Sequence, residues 1–80
     1  MDCYPWIRGI IAKELALDEQ DVVPEAHLLD ELGADSLNLL TLAEAISGHY
    51  GINLLVDDLV DMGNVGELIK FVESRVSSKP

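Results

Sequence analysis

Ser36-Leu37-Asn38-Leu39-Leu40-Thr41-Leu42-Ala43-Glu44-Ala45-Ile46-Ser47-Gly48-His49-Tyr50 is the stretch on which the fold turns. Leu39, Leu42, Ala43, Ile46 and Tyr50 recur at i, i+3, i+4, i+7 and i+11, which lays apolar side chains along one face of a helix. Asp35 stands where an N-cap carboxylate accepts an amide of the first turn, and Gly51 where a helix can end on a left-handed residue. A helix over residues 36–50 is predicted, with one apolar stripe that must be buried against something.

The same period returns on both sides of it. Toward the N-terminus, Ile7, Ile10, Ile11 and Leu15 share a face, and Pro5 suits a first turn, so a helix is predicted from about Tyr4 to near Leu17. Toward the C-terminus, an irregular Ile52 to Val56 precedes Asp57 to Met62, which has room for one or two turns before Gly63. Asn64, with Glu67 three residues on, opens a last helix through a capping-box-like pair, and Val65, Leu68, Ile69, Val72 and Val76 form its apolar set. Asp18 to Asp35, carrying Pro24 and Gly33, has no sustained period. It reads as a long loop pinned by Val22, Val23, Leu28, Leu29 and Leu32, and a loop of that length is often functional. There is no strand-like alternation, internal repeat or low-complexity tract. The predicted fold class is all-α: a four-helix bundle with three longer helices, one short third helix and a long first loop. Residues 1–76 form one domain and residues 77–80 a disordered tail.

Composition sets the function classes aside one by one. Eighty residues carry 15 carboxylates against 5 Lys and Arg, a formal net charge of -10, and no Lys or Arg lies between Lys13 and Lys70. Phosphate backbones are bound by clustered cations that release counterions, so nucleic acid is excluded as a partner, and anionic membrane surfaces with it. At 49% hydrophobic the chain is too apolar for a disordered acidic tail. No apolar run approaches the roughly 18 to 20 residues that span a bilayer, so no membrane insertion is expected. The N-terminus lacks the basic and apolar regions of a secretory signal, and the single Cys3 cannot form an internal disulfide, which makes the cytoplasm the expected compartment. Cys3, near an end expected to fray, has no neighbouring His to activate it.

The charge has two readings: a solvated surface that keeps the protein monomeric, or a docking surface for basic partners. In both, self-repulsion weakens the compact state. Added salt or divalent cations are therefore expected to raise the melting temperature, and a melting curve unmoved by ionic strength contradicts this.

Autonomous catalysis finds few groups to work with. His27 and His49 have no Cys or His partner at zinc-ligand spacing, and an EF-hand register started at Asp18 puts Val23 where glycine is required. No metal site and no catalytic residue is predicted. One segment differs, Leu32-Gly33-Ala34-Asp35-Ser36-Leu37. It places a serine at the mouth of a helix after a glycine-containing loop, where first-turn amides lack partners and the helix dipole favours an esterified phosphate. The plain alternative is that Asp35 and Ser36 only cap the helix.

Leu-Gly-Ala-Asp-Ser-Leu resembles the phosphopantetheine attachment motif of acyl carrier proteins, and the likeness covers nearly the whole chain. Length, acidity, long first loop, a second helix beginning at the serine, a short third helix and the closing helix all share in it. The resemblance implies 4'-phosphopantetheine, taken from coenzyme A by a phosphopantetheinyl transferase and attached at Ser36, with Asp35 flanking it. Acyl groups would then ride as thioesters in fatty-acid, lipid or polyketide biosynthesis. The protein would be no enzyme itself, and acyl-transferring or acyl-activating enzymes with basic docking surfaces would do the chemistry. It further implies docking through Leu37, Leu40, Thr41 and Glu44, although Leu37 and Leu40 could instead close the core. Leu28, Ile46, Leu59, Met62, Leu68 and Val72 would line an acyl pocket, shortened by Leu68 where the family often has a small residue.

The second helix departs from the family. Asn38 and Thr41 occupy positions where carboxylates are frequent, and Ser47, Gly48 and His49 follow instead of an acidic run, which implies a specialised carrier. Two other readings stay open: an aminoacyl (peptidyl or D-alanyl) carrier, and an unmodified acidic binding module of the same fold. Peptidyl carriers usually have a second glycine where this chain has Ala34.

Overall fold

The computed structural model describes residues 3–77. It is all-helical: α1 (Tyr4–Leu15), α2 (Ser36–Tyr50), the short α3 (Val56–Met62) and α4 (Val65–Ser77), with a single 3-10 turn at Glu19–Asp21 in the first loop. α1 packs along α2, α2 against α3, and α3 against α4. The tail expected at residues 77–80 falls on Ser77, the last residue of α4, and on residues 78–80, which lie outside the described residues.

One apolar cluster holds the bundle together. Cys3, just ahead of α1, joins Ile7, Ile11 and Ala12 of α1; α2 contributes Leu39, Leu42, Ala43 and Ile46; α3 Leu59; α4 Val65, Leu68, Ile69 and Val72. Cys3 is fully buried rather than frayed. Its carbonyl accepts a hydrogen bond from the Tyr50 hydroxyl at 3.4 Å, and its amide donates to Glu73 at 3.5 Å, so the start of α1 is fastened to α2 and α4. α1 stops at Leu15, two residues short of the sequence expectation, because Ala16 turns left-handed at φ 55°. The Leu17 amide then donates to the Ala12 carbonyl at 2.9 Å and the Ala16 amide to Lys13 at 3.4 Å, the paired bonds of a Schellman ending built without its usual glycine. Between α2 and α3, the Ser47 hydroxyl donates to the Leu54 carbonyl and accepts the Leu54 amide, which seats Leu54 in the core.

The first loop is anchored differently from the expectation. Val22, Ala26, Leu28 and Ala34 are buried, whereas Val23 and Leu29 are 39% and 43% exposed. In each doublet, Val22-Val23 and Leu28-Leu29, only one side chain faces inward. The loop is also stitched by its backbone to the α3–α4 junction. Leu28 donates to the Gly63 carbonyl at 3.2 Å, Val65 to Ala26 at 3.0 Å and Gly66 to Pro24 at 2.9 Å, and His27 and Asn64 form an isolated antiparallel bridge.

The junction turns on Gly63, at φ 84° and ψ -70°, with the Asn64 amide donating to the Met62 carbonyl at 3.0 Å. This is the rarer, positive-φ γ-turn, which L-residues avoid. Because the Asn64 amide is taken in this way, only half of the expected capping box forms: the Asn64 side chain accepts the Glu67 amide at 2.8 Å. Gly63→Ala is expected to lower stability by about 1 to 3 kcal/mol, since the strain stays while the allowance for it is lost. Gly48→Ala, inside α2 with nothing within 4 Å of a new Cβ, should instead gain up to about 1 kcal/mol. Denaturant unfolding of the two variants checks the contrast, and equal stabilities would refute it.

Candidate functional site

The site is assembled at the N-terminus of α2. Asp35 has extended backbone at φ -103° and its carboxylate accepts the Asn38 amide at 2.9 Å, while the Asn38 side chain accepts the Asp35 amide at 3.1 Å. The N-cap role expected of Asp35 is thus joined by a reciprocal one for Asn38, at a position where the family frequently has a carboxylate. The Asn38 side-chain amide also donates to Glu14 at 3.1 Å, tying the start of α2 to the end of α1. Ahead of the cap, Gly33 is left-handed at φ 73° and the Ala34 amide donates to the Leu28 carbonyl at 2.8 Å. The loop therefore reaches the helix from a fixed direction.

Ser36 is the first residue of α2 and is exposed. Its hydroxyl has no hydrogen-bond partner among the described residues, and neither have the amides of Ser36 and Leu37. A capping duty for Ser36 is excluded, because Asp35 holds that position. What remains is an open hydroxyl beside unused donors at the positive end of a helix of 15 residues. Leu37 is 68% and Leu40 46% exposed, so they do not close the core. Thr41 and Glu44 are exposed on the same helix.

Leu28, Ile46, Leu59, Leu68 and Val72 are buried together, with Met62 half-buried against them, as part of the single core. At the far end of α2, His49 stacks on Trp6 with ring centroids 3.8 Å apart and planes 9° from parallel, and Tyr50 meets both rings edge-on. His49 is exposed to solvent as well as stacked. The antiparallel pairing of α1 and α2 brings Trp6 opposite residues 49 and 50. No group of three or more metal-ligating side chains occurs among the described residues.

The family described as "Phosphopantetheine attachment site" matches residues 5–72. An acyl carrier protein of Thermotoga maritima is 34% identical over 75 residues, covering 94% of this chain and 93% of the relative. Acyl carrier proteins of two Helicobacter pylori strains, G27 and HPAG1, are each 34% identical over 73 residues, covering 91% of this chain and 94% of the relative. The chain belongs to the acyl carrier protein family. Acyl carrier proteins are carriers rather than enzymes, and their prosthetic group is 4'-phosphopantetheine. Among the described residues, the hydroxyl at the head of α2 and the two amides beside it are unpartnered, a donor set that fits a phosphodiester. Among the described residues no helix is long and apolar enough to cross a membrane.

Proposed function

We propose that Ser36 is the attachment point, and that the chain carries acyl groups as thioesters for a dedicated branch of fatty-acid, lipid or polyketide assembly. The observation behind this reading is the free Ser36 hydroxyl at the head of α2. In the transferase reaction the Ser36 Oγ gives up its proton and bonds to the phosphorus nearest the pantetheine of coenzyme A, and the nucleotide part leaves. When bound, the group supplies a thiol on a flexible arm, and tethering raises the local concentration of cargo at any enzyme the carrier meets. The capping pair Asp35 and Asn38 holds the serine at the helix mouth. The amides of Ser36 and Leu37 face the incoming negative charge.

Leu37 and Leu40 then serve as an apolar docking patch beside Thr41 and Glu44. The carboxylates of the first loop and α3 steer basic partners toward it. The α2 face carries Asn38 and Thr41 instead of acid and Glu44 as its one charged residue, which favours partners reading a specialised pattern. The carrier acts as a cytoplasmic monomer with a phosphopantetheinyl transferase and acyl-transferring or acyl-activating enzymes. Incubation with coenzyme A and a broad-specificity transferase is expected to add the mass of one phosphopantetheine. A mass that never shifts supports the unmodified-module reading. Acyl and aminoacyl activating enzymes offered to the modified protein then separate acyl from aminoacyl cargo.

A further inference from the structure

The antiparallel helices α1 and α2 are fastened to each other at both ends. At one end Tyr50 bonds to Cys3 and His49 stacks on Trp6. At the other, the Asn38 side-chain amide donates to the Glu14 carboxylate at 3.1 Å, so the last turn of α1 grips the first turn of α2. We infer that Glu14 is a positioning residue for the attachment reaction, holding the head of α2, and Ser36 with it, in the orientation that a phosphopantetheinyl transferase accepts. The inference rests on the reading of Ser36 as the attachment point.

Glu14 stands where helix physics disfavours it. The C-terminal end of a helix carries partial negative charge, so a carboxylate in the last turn is repelled. Glu14 occupies that turn of α1 and makes no ion pair among the described residues; the pair on α1 joins Arg8 to Glu19 at 3.3 Å. Its gain lies across the helix pair, at the positive end of α2, where its half-buried side chain meets Asn38. A local preference given up for one distant bond is a mark of a position that serves a site. Asn38 is the link. Its side-chain oxygen accepts the Asp35 amide at 3.1 Å and its backbone amide donates to the Asp35 carboxylate at 2.9 Å, which leaves the side-chain nitrogen for Glu14. Ser36 lies inside this box and its own hydroxyl and amide hold no partner among the described residues, so its direction is set through its neighbours. The box closes the turn on itself, and Glu14 fixes the turn relative to α1. Released from Glu14, the turn samples further orientations, and apparent affinity for the enzyme falls in proportion to the competent fraction. Docking selects that fraction, so the chemical step within the complex is unchanged.

Modification by a broad-specificity transferase would be followed with coenzyme A in excess and the carrier as the varied substrate. Glu14→Ala is expected to raise KM about five-fold at unchanged kcat, the size that one partly exposed hydrogen bond supports. Glu14→Gln removes the charge but keeps an acceptor oxygen, and should stay within about two-fold of the parent. Adding Glu14→Ala to Asn38→Ala should change KM no further, because the partner is already gone. Nitrogen-15 order parameters of the Ser36 and Leu37 amides should fall from about 0.85 toward about 0.6 in Glu14→Ala and hold in Glu14→Gln. Melting curves check that every variant is folded at the assay temperature. An unchanged KM in Glu14→Ala overturns the positioning role and leaves the Ser36 reading intact. A rise in Glu14→Gln equal to that in Glu14→Ala, or one that persists in the Asn38→Ala background, makes Glu14 a direct charge contact of the enzyme and also overturns it. A parent protein that never gains mass overturns the attachment reading and this inference with it.

Discussion

Ser36→Ala is expected to abolish the mass gain from coenzyme A completely while leaving stability within about 0.5 kcal/mol of the parent. The two halves of this result come from one geometry. The Ser36 side chain is exposed and makes no hydrogen bond among the described residues, so its removal leaves no orphaned partner and opens no cavity. The neighbouring Asp35→Ala should behave in the opposite sense. It removes the acceptor of the Asn38 amide and should cost about 1 kcal/mol as a lost N-cap, while leaving the hydroxyl in place. Ser47 is no substitute acceptor, since its hydroxyl is engaged on both sides by Leu54. A Ser36→Ala protein that still gained the phosphopantetheine mass would place the attachment elsewhere and overturn the assignment.

Leu68→Ala is expected to destabilise the protein by about 2 to 5 kcal/mol, read from denaturant midpoints at unchanged slope. A domain of 80 residues has a total stability of only about 4 to 12 kcal/mol, so this single change removes a large share of it. Leu68 has none of its surface exposed and belongs to the same cluster as Leu28, Leu59 and Val72. Truncation there leaves an apolar void that stays dry and accepts an apolar guest. Octanoyl cargo on the modified protein should then regain part of that stability by filling the void, read from the same denaturant midpoints. A loss below about 1 kcal/mol would mean that the neighbours collapse into the space, and the packed-core argument would fail.

Where the physics was local, the sequence showed it. Asp35 and Gly51 bracket α2, the stripe Leu39, Leu42, Ala43 and Ile46 is buried as its spacing requires, and Asn64 caps α4 through the Glu67 amide. What stayed hidden depends on distant partners or on departures from preference. No local signal tells which member of Val22-Val23 or Leu28-Leu29 turns inward, because a loop has no period and the choice is made by backbone bonds to residues 63–66. Ala26 and Ala34 are buried, and their small side chains gave no cue. The end of α1 was misplaced by two residues because an alanine takes the left-handed position that glycine usually marks. Around Ser36, the exposed helix mouth was legible in the segment Leu32 to Leu37, whereas spacing alone left Leu37 and Leu40 open between an outward patch and the core until the structure showed both exposed. The second bond of Asn38, to Glu14, required the tertiary pairing of α1 with α2.

The stitching of the first loop to the α3–α4 junction also orders events in time. Chains are made from the N-terminus, and domains organise as their parts emerge. Residues 24–28 can take up their native bonds only once residues 63–66 have been synthesised, because Pro24, Ala26 and Leu28 meet Gly66, Val65 and Gly63. Ser36 leaves the ribosome much earlier, on a segment whose approach is still unset. A transferase that reads the folded loop would therefore pass over the nascent chain and act on the finished domain.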